Sequence, residues 1–259
     1  MAEHHCTGCG LACDSAWCPA CGQRQPRAGD FSLRRLAGEA WEELTSSDSR
    51  LWRTVLGIFV PGRLTAAHLA HRWQLHLPPV RLFLVASGIY FLLAWEPYTS
   101  VNLQQVLSAP EGAVPPAVRS ALADPRTADR MADLTALLKF LFVVPMGLWM
   151  ALLMWGNRMP VGAHMVFSLH YTTADFVLFS LAAPILAMAS PEQAAARFQA
   201  IFWVVLVLLL AWAVLGVRRV YRRGWPSSLA RGLAIVLMDM FLSALASQLA
   251  LMYVLLVPR

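Results

Sequence analysis

Residues 198–217 read FQAIFWVVLVLLLAWAVLGV, 20 positions without a charged side chain. A transmembrane helix needs about 20 predominantly apolar residues to cross a bilayer. The whole chain has 259 residues and is 58% hydrophobic but only 14% charged. An average soluble domain is about 45–50% apolar and about 25% charged. The composition and this stretch together predict an all-α membrane protein and exclude disordered and collagen-like chains.

Four other apolar stretches predict further spans. We expect five transmembrane helices, at approximately 80–97, 136–156, 163–188, 198–217 and 232–256. The weakest is the first, where Leu82 to Trp95 gives only 14 uncharged residues. Lys139 lies near the start of the second and is expected to snorkel towards the headgroups. The Pro-rich segment 97–133 is expected to be an external loop without a rigid domain.

The arginines predict the orientation of these helices. Nine of them precede or open the first span, and Arg218, Arg219, Arg222 and Arg223 cluster before the last. Both groups lie in the cytoplasm, as the positive-inside rule requires, only if the first span crosses the membrane. The N-terminus is then cytoplasmic and the C-terminus external. The net charge of +6 marks the cytoplasmic ends of the spans, and no nucleic-acid partner is expected.

Two cysteine pairs close to the N-terminus predict a metal site. Cys6 and Cys9 form one Cys-x2-Cys turn, and Cys18 and Cys21 form another eight residues later. Four thiolates at such spacing suit a tetrahedral, structural Zn²⁺. Iron in a rubredoxin-like site is the alternative. We interpret residues 1–24 as a zinc-ribbon head.

Residues 25–79 are interpreted as an amphipathic connector of interfacial helices, ahead of a membrane domain at 80–259. A helical stripe runs from residue 33 to residue 44, and two shorter segments cover 51–60 and 63–73. The last part is rich in basic and aromatic residues, which suit the headgroup interface. The interfacial candidates are His68, His71, Arg72 and His76. We expect these helices to pack against the cytoplasmic face of the membrane domain, and specific lipid recognition is the alternative.

Polar residues within the third and fifth predicted spans are candidates for function, because ionisable groups in hydrocarbon are costly. At about 100° per residue, one helical stripe contains His164, Ser168, Tyr171 and Asp175. His170 lies off that stripe, and we predict that it pairs with Asp239 at a similar depth. Hydrogen bonding between helices, proton or solute transfer, and a metal or haem site remain open as roles.

A family resemblance follows from several motifs. Cys18-Pro-Ala-Cys21-Gly-Gln, Pro61-Gly-Arg-Leu, Leu77-Pro-Pro-Val-Arg-Leu-Phe-Leu and His164-Met-Val-Phe-Ser-Leu-His170 occur in this order. In this order they resemble an uncharacterised bacterial family of integral membrane proteins with an N-terminal zinc ribbon. The HxVFxLH motif, at His164 to His170, is the most specific of them. The resemblance implies a bacterial inner (plasma) membrane protein and brings no activity.

Three functions are compatible with this sequence. A non-enzymatic scaffold, assembly or regulatory protein would use the zinc ribbon to bind a protein partner. A small transporter or proton-coupled channel would use the polar stripe of the third span. An enzyme acting on a lipid would use the connector histidines with His164 at the cytoplasmic face. The expected partners are the lipid bilayer and either another protein or a second copy of the chain.

Overall fold

The computed structural model describes residues 10–12, 18–20, 48–72 and 75–257. Within these ranges the chain forms ten α-helices and no β-strand, so the all-α prediction is confirmed. The chain divides into two compact units, residues 1–51 and 52–259. The expected helix at 33–44 and the ligands Cys6, Cys9 and Cys21 lie outside the described residues.

The connector forms a short helical hairpin. Helix α1 covers Asp48–Ile58 and α2 covers Arg63–Leu69. The chain reverses between them at Pro61 and Gly62, where Gly62 has a φ of 71°. Glycine reaches this left-handed region without the cost of a Cβ.

Eight helices follow the connector. They are α3 (Pro79–Leu93), α4 (Trp95–Leu107), α5 (Pro116–Ala123), α6 (Pro125–Leu141), α7 (Val143–Leu153), α8 (Val161–Ala187), α9 (Pro191–Tyr221) and α10 (Trp225–Leu256). Helices α6 and α7 form one stretch of 29 residues, and this stretch, α8, most of α9 and α10 are long and apolar enough to cross a membrane. A fifth crossing results if α3 and α4, bent by 52°, count as one span.

Contacts with α8 locate the bent pair formed by α3 and α4. At one end, Pro79 lines the same cavity as His170. At the other end, the hydroxyl of Tyr98 donates a hydrogen bond of 3.0 Å to the carbonyl oxygen of Phe179. His170 and Phe179 are nine residues apart on α8, which corresponds to about 13 Å along the helix axis. The bent pair therefore follows the middle of α8.

The segment expected to be an external loop is largely helical. Helices α4, α5 and the first part of α6 occupy most of residues 97–133. Pro116 and Pro125 stand at the first position of α5 and α6, where a missing N–H costs no helical hydrogen bond. The prediction counted these prolines as helix breakers, whereas they start helices.

The membrane domain has a buried polar and aromatic interior and an apolar exterior. Helix α8 packs against α3, α7 and α9 and contributes Phe167, Tyr171 and Phe176, each at most 1% exposed. Residues on the outer face of α9, such as Trp203 and Val207, are more than half exposed. An exterior of large apolar side chains suits a lipid environment. The chain is a multi-pass membrane protein.

Candidate functional site

A cavity of about 180 Å³ lies where α2 and the loop after it meet α3 and α8. It brings together three of the four predicted interfacial residues and one residue of the HxVFxLH motif. Its polar lining is His68, Arg72, His76 and His170, and its apolar lining is Leu64, Leu77, Pro78 and Pro79. His71, the fourth predicted residue, is not among the lining residues. It has a φ of 58° in the turn after α2.

Two buried threonines hold this cavity in place. The hydroxyl of Thr65 and Nδ1 of His170 form a hydrogen bond of 2.9 Å between α2 and α8. The hydroxyl of Thr54 accepts a hydrogen bond of 3.0 Å from the backbone N–H of Leu77. Both threonines are fully buried. Their bonds fix the hairpin against α8 and the His76–Leu77 loop against α1.

The cavity is lined by neutral histidine side chains, and positively charged arginines lie near it. Burial lowers the pKa of His68, and the nearby His71 lowers it further. Burial also lowers the pKa of His76, with smaller contributions from the charges of Arg63 and Arg53. Both side chains are therefore neutral at pH 7, and each offers a ring N–H donor. Nδ1 of His76 is buried and has no hydrogen-bond partner among the described residues.

The cavity histidines do not form a metal site. Within the described ranges, no group of three His, Cys, Asp or Glu side chains is placed to hold one metal ion. A metal role for the intramembrane histidines, which the sequence left open, therefore has no support from these positions.

The predicted polar stripe of the third span faces the interior. His164, Ser168, Tyr171 and Asp175 are each at most 6% exposed. Nδ1 of His164 lies 3.0 Å from the hydroxyl of Tyr221 on α9. The hydroxyl of Ser168 donates a hydrogen bond of 2.9 Å to the carbonyl oxygen of Val143. His164 and Ser168 therefore connect α8 to the neighbouring helices α9 and α7.

The predicted pair of His170 and Asp239 is wrong. The carboxylate of Asp239 accepts a hydrogen bond of 3.2 Å from Tyr171, while His170 bonds to Thr65. Consecutive residues on a helix point about 100° apart. The depth estimate also failed, because α10 begins at Trp225 rather than at the expected residue 232. Asp239 is therefore 14 residues after the start of its helix, rather than the seven that the sequence indicated.

The sequence did not predict that Lys139 interacts with the residues of this interior. Its Nζ lies 5.6 Å from the centre of the Tyr90 ring, and Tyr90 is only 3% exposed. Lys139 also interacts electrostatically with Asp175 and Asp239. The predicted second span began at residue 136, which placed Lys139 at the membrane surface. The observed helix α6 begins at Pro125 and has Lys139 in its last turn, which is the middle of the combined stretch Pro125–Leu153.

One residue of the predicted zinc site is described. Cys18 is 2% exposed and precedes a turn at Pro19 and Ala20. Gly10, which follows Cys9 in the sequence, has a φ of 75°. Glycine is the residue suited to such a backbone conformation.

Comparison with known proteins gives one match. Residues 48–91 match a family described as "Protein of unknown function (DUF3667)". The matched segment contains α1, α2 with His68, and the positions of Arg72 and His76 after α2, and it ends within α3. No curated protein and no solved structure matches the chain. The match fits an uncharacterised family and assigns no activity.

Proposed function

We propose that this membrane protein binds the phosphate group of a lipid headgroup in the cavity between α2, α3 and α8. One observation carries the proposal. His68, Arg72 and His76 of the connector converge with His170 of α8 on one cavity, although His170 is 94 or more residues away in the sequence.

The side chains suit a phosphate. An Arg guanidinium offers planar, paired donors that match phosphate oxygens. Neutral His68 and His76 add further N–H donors, and an approaching anion favours their protonated forms. Arg53 and Arg63 act on His76 electrostatically, so the surroundings are positive. The binding energy therefore comes from charge-assisted hydrogen bonds in a partly buried site.

The apolar wall and the size favour a lipid over free phosphate. Leu64, Leu77, Pro78 and Pro79 form one side of the cavity, and Pro79 begins the first membrane helix. A volume of about 180 Å³ equals that of about six water molecules at about 30 Å³ each. This accommodates a phosphate and the adjoining glycerol carbons. The acyl chains would extend from the cavity along the apolar surface of the spans.

The proposal is tested by counting bound lipid. The purified full chain in detergent is titrated with phosphatidylglycerol, and lipids per chain are counted by native mass spectrometry. We expect one tightly bound lipid per chain, with Arg72→Gln weakening binding about tenfold, equivalent to about 1.4 kcal/mol. Arg222→Gln, which changes an exposed arginine outside the cavity lining, serves as the control.

Two results would overturn it. Equal lipid retention by Arg72→Gln and Arg222→Gln would place the bound lipid elsewhere on the basic surface. Binding of inorganic phosphate that depends on Arg72, without any effect of Arg72→Gln on the lipid, would make free phosphate the ligand.

For the location, we propose the bacterial inner membrane, with the N-terminus cytoplasmic and the C-terminus external. Arg219 donates a hydrogen bond of 2.6 Å to the carbonyl oxygen of Pro61. Arg223 donates one of 2.9 Å to the side chain of Asn157. The arginines around the C-terminal end of α9 thus lie at the same end of the bundle as the connector hairpin. This distribution supports a cytoplasmic position for that end.

For the N-terminal head, we propose a structural Zn²⁺ held by Cys6, Cys9, Cys18 and Cys21, with a protein partner bound on its surface. The spacing of the two Cys-x2-Cys pairs supports the metal. A closed zinc module stabilises a small fold and presents a surface. Affinity purification of the intact protein tests the partner, and loss of that partner in Cys18→Ser is the expected result.

A further inference from the structure

A cluster of charged residues lies within the membrane domain, apart from the cavity. Asp175 is buried in it, and Lys139 and Asp239 are half-buried. Lys139 on α6 interacts electrostatically with Asp175 on α8 and with Asp239 on α10. The two carboxyl groups also interact with each other. The hydroxyl of Tyr171 donates a hydrogen bond of 3.2 Å to Asp239. Lys139 is the single lysine of the 259 residues.

All three charged residues lie at the middle of long helices. Each is 14 residues after the first residue of its stretch: Lys139 in Pro125–Leu153, Asp175 in Val161–Ala187 and Asp239 in Trp225–Leu256. This corresponds to about 21 Å along each helix axis. The hydrocarbon core of a bilayer is about 30 Å thick. The three residues therefore lie at matching positions within stretches that are long and apolar enough to cross a membrane. Unbalanced charge is costly in such segments.

The charges within the cluster do not balance. Two carboxylates and one ammonium leave a formal charge of −1. The helices packed around the cluster bring tyrosines to it, and in the described ranges we find no further cation facing it. The titratable groups that interact there are Tyr90, Tyr98, Lys139, Tyr171, Asp175 and Asp239. One bound proton on either carboxylate makes the cluster neutral.

We propose that one of the carboxyl groups of Asp175 and Asp239 carries an exchangeable proton, which makes the Lys139–Asp175–Asp239 cluster a proton-binding site within the membrane domain. Uptake converts one carboxylate and one hydronium ion into a carboxylic acid and water, and release reverses this step. Tyr171 links the site to the helix turn that carries His170, because the two residues are consecutive on α8. The site gives the protein a chemical basis for responding to protons, independent of lipid binding.

The number of protonated carboxyl groups tests this proposal. Infrared difference spectra of the full chain in nanodiscs, referenced to matched variants, report protonated buried carboxyls at neutral pH. We expect one per chain in the natural protein. Asp175→Asn leaves one carboxylate balanced by Lys139, so none is expected. Lys139→Gln leaves two carboxylates without a cation, so two are expected.

Controls separate this pattern from general damage. Asp129→Asn changes an exposed acid on the same helix as Lys139 and should leave the count at one. The double variant Lys139→Gln with Asp175→Asn retains one carboxyl without a cation, so the count returns to one. Circular dichroism and gel filtration show that each variant is folded. A count of zero in the natural protein, or the same count in all folded variants, would overturn the proposal.

Discussion

The hydroxyl of Thr65 lies 2.9 Å from Nδ1 of His170, and this bond joins two segments that are 105 residues apart. Both side chains are at most 2% exposed, so the bond is shielded from bulk water. The bond fixes the connector hairpin to the central helix α8. The cavity between them therefore depends on tertiary contacts rather than on the connector alone.

Thr65→Val should destabilise the protein by about 1–3 kcal/mol, because the isosteric change leaves a buried ring nitrogen of His170 without its partner. Thr65→Ser keeps the hydroxyl and should retain most of the stability. Thermal unfolding in detergent, followed by circular dichroism, measures the difference. Equal melting temperatures for the Val and Ser variants would show that the bond contributes nothing.

Gly62→Ala should destabilise the connector hairpin. A Cβ at this position would lie 3.0 Å from the Cα of Gly216 on α9, and the φ of 71° is unfavourable for alanine. The conformational cost alone is about 1–2 kcal/mol. Gly88→Ala is the matched control, since a Cβ there meets nothing within 4 Å and alanine is favoured in a helix. If hydrogen exchange of residues 48–72 is unchanged in Gly62→Ala, the close approach of the two backbones is not required.

Stability should fall as the pH drops below about 6.5, the ordinary pKa of histidine. The folded pKa values of His68 and His76 are lowered, so the unfolded chain takes up protons first and folding loses free energy. Urea unfolding at about pH 7.5 and about pH 5.5 measures this loss. The double variant His68→Gln with His76→Gln should show a smaller loss. A pH dependence identical to that of the natural protein would contradict the electrostatic description of the cavity.

Removal of one proposed zinc ligand should release the metal. Cys18→Ser should reduce bound zinc from one per chain to near zero, because a closed site needs four ligands. Cys13 belongs to neither Cys-x2-Cys pair, so Cys13→Ser should leave the zinc content unchanged. Metal analysis of the purified proteins measures both. Full zinc in Cys18→Ser, or loss in Cys13→Ser, would require a different ligand set.

Hydropathy predicted the helical class and the spans from 136 to 256, because about 20 apolar residues in a row have few other uses. The starts of these helices were predicted less well. Pro125 and Trp225 begin their helices about 11 and 7 residues before the expected positions. Polar turns that continue a helix beyond the apolar stretch leave no hydropathy signal. Because the predicted helices started too late in the sequence, Lys139 was expected at the membrane surface and Asp239 only seven residues from it.

The candidate sites show the same distinction between features of one helix, which the sequence predicted, and contacts between helices, which it did not. Helical periodicity correctly placed His164, Ser168, Tyr171 and Asp175 on a buried face, because these residues share one helix. The partner of each residue depended on how different helices pack. Thr65 and Tyr90 gave no signal in the sequence, since a threonine or tyrosine in an apolar segment is ordinary. The convergence of His170 with the connector histidines required the tertiary structure.

The central claim is that a lipid phosphate occupies the cavity. The most direct test is a solid-state NMR measurement of dipolar coupling between ³¹P of the lipid and ¹⁵N of the histidines, in phosphatidylglycerol bilayers. We expect the phosphorus to dephase the His76 signal strongly in the natural protein and in Arg222→Gln, and weakly in Arg72→Gln. A His76 signal without dephasing in the natural protein would contradict the claim.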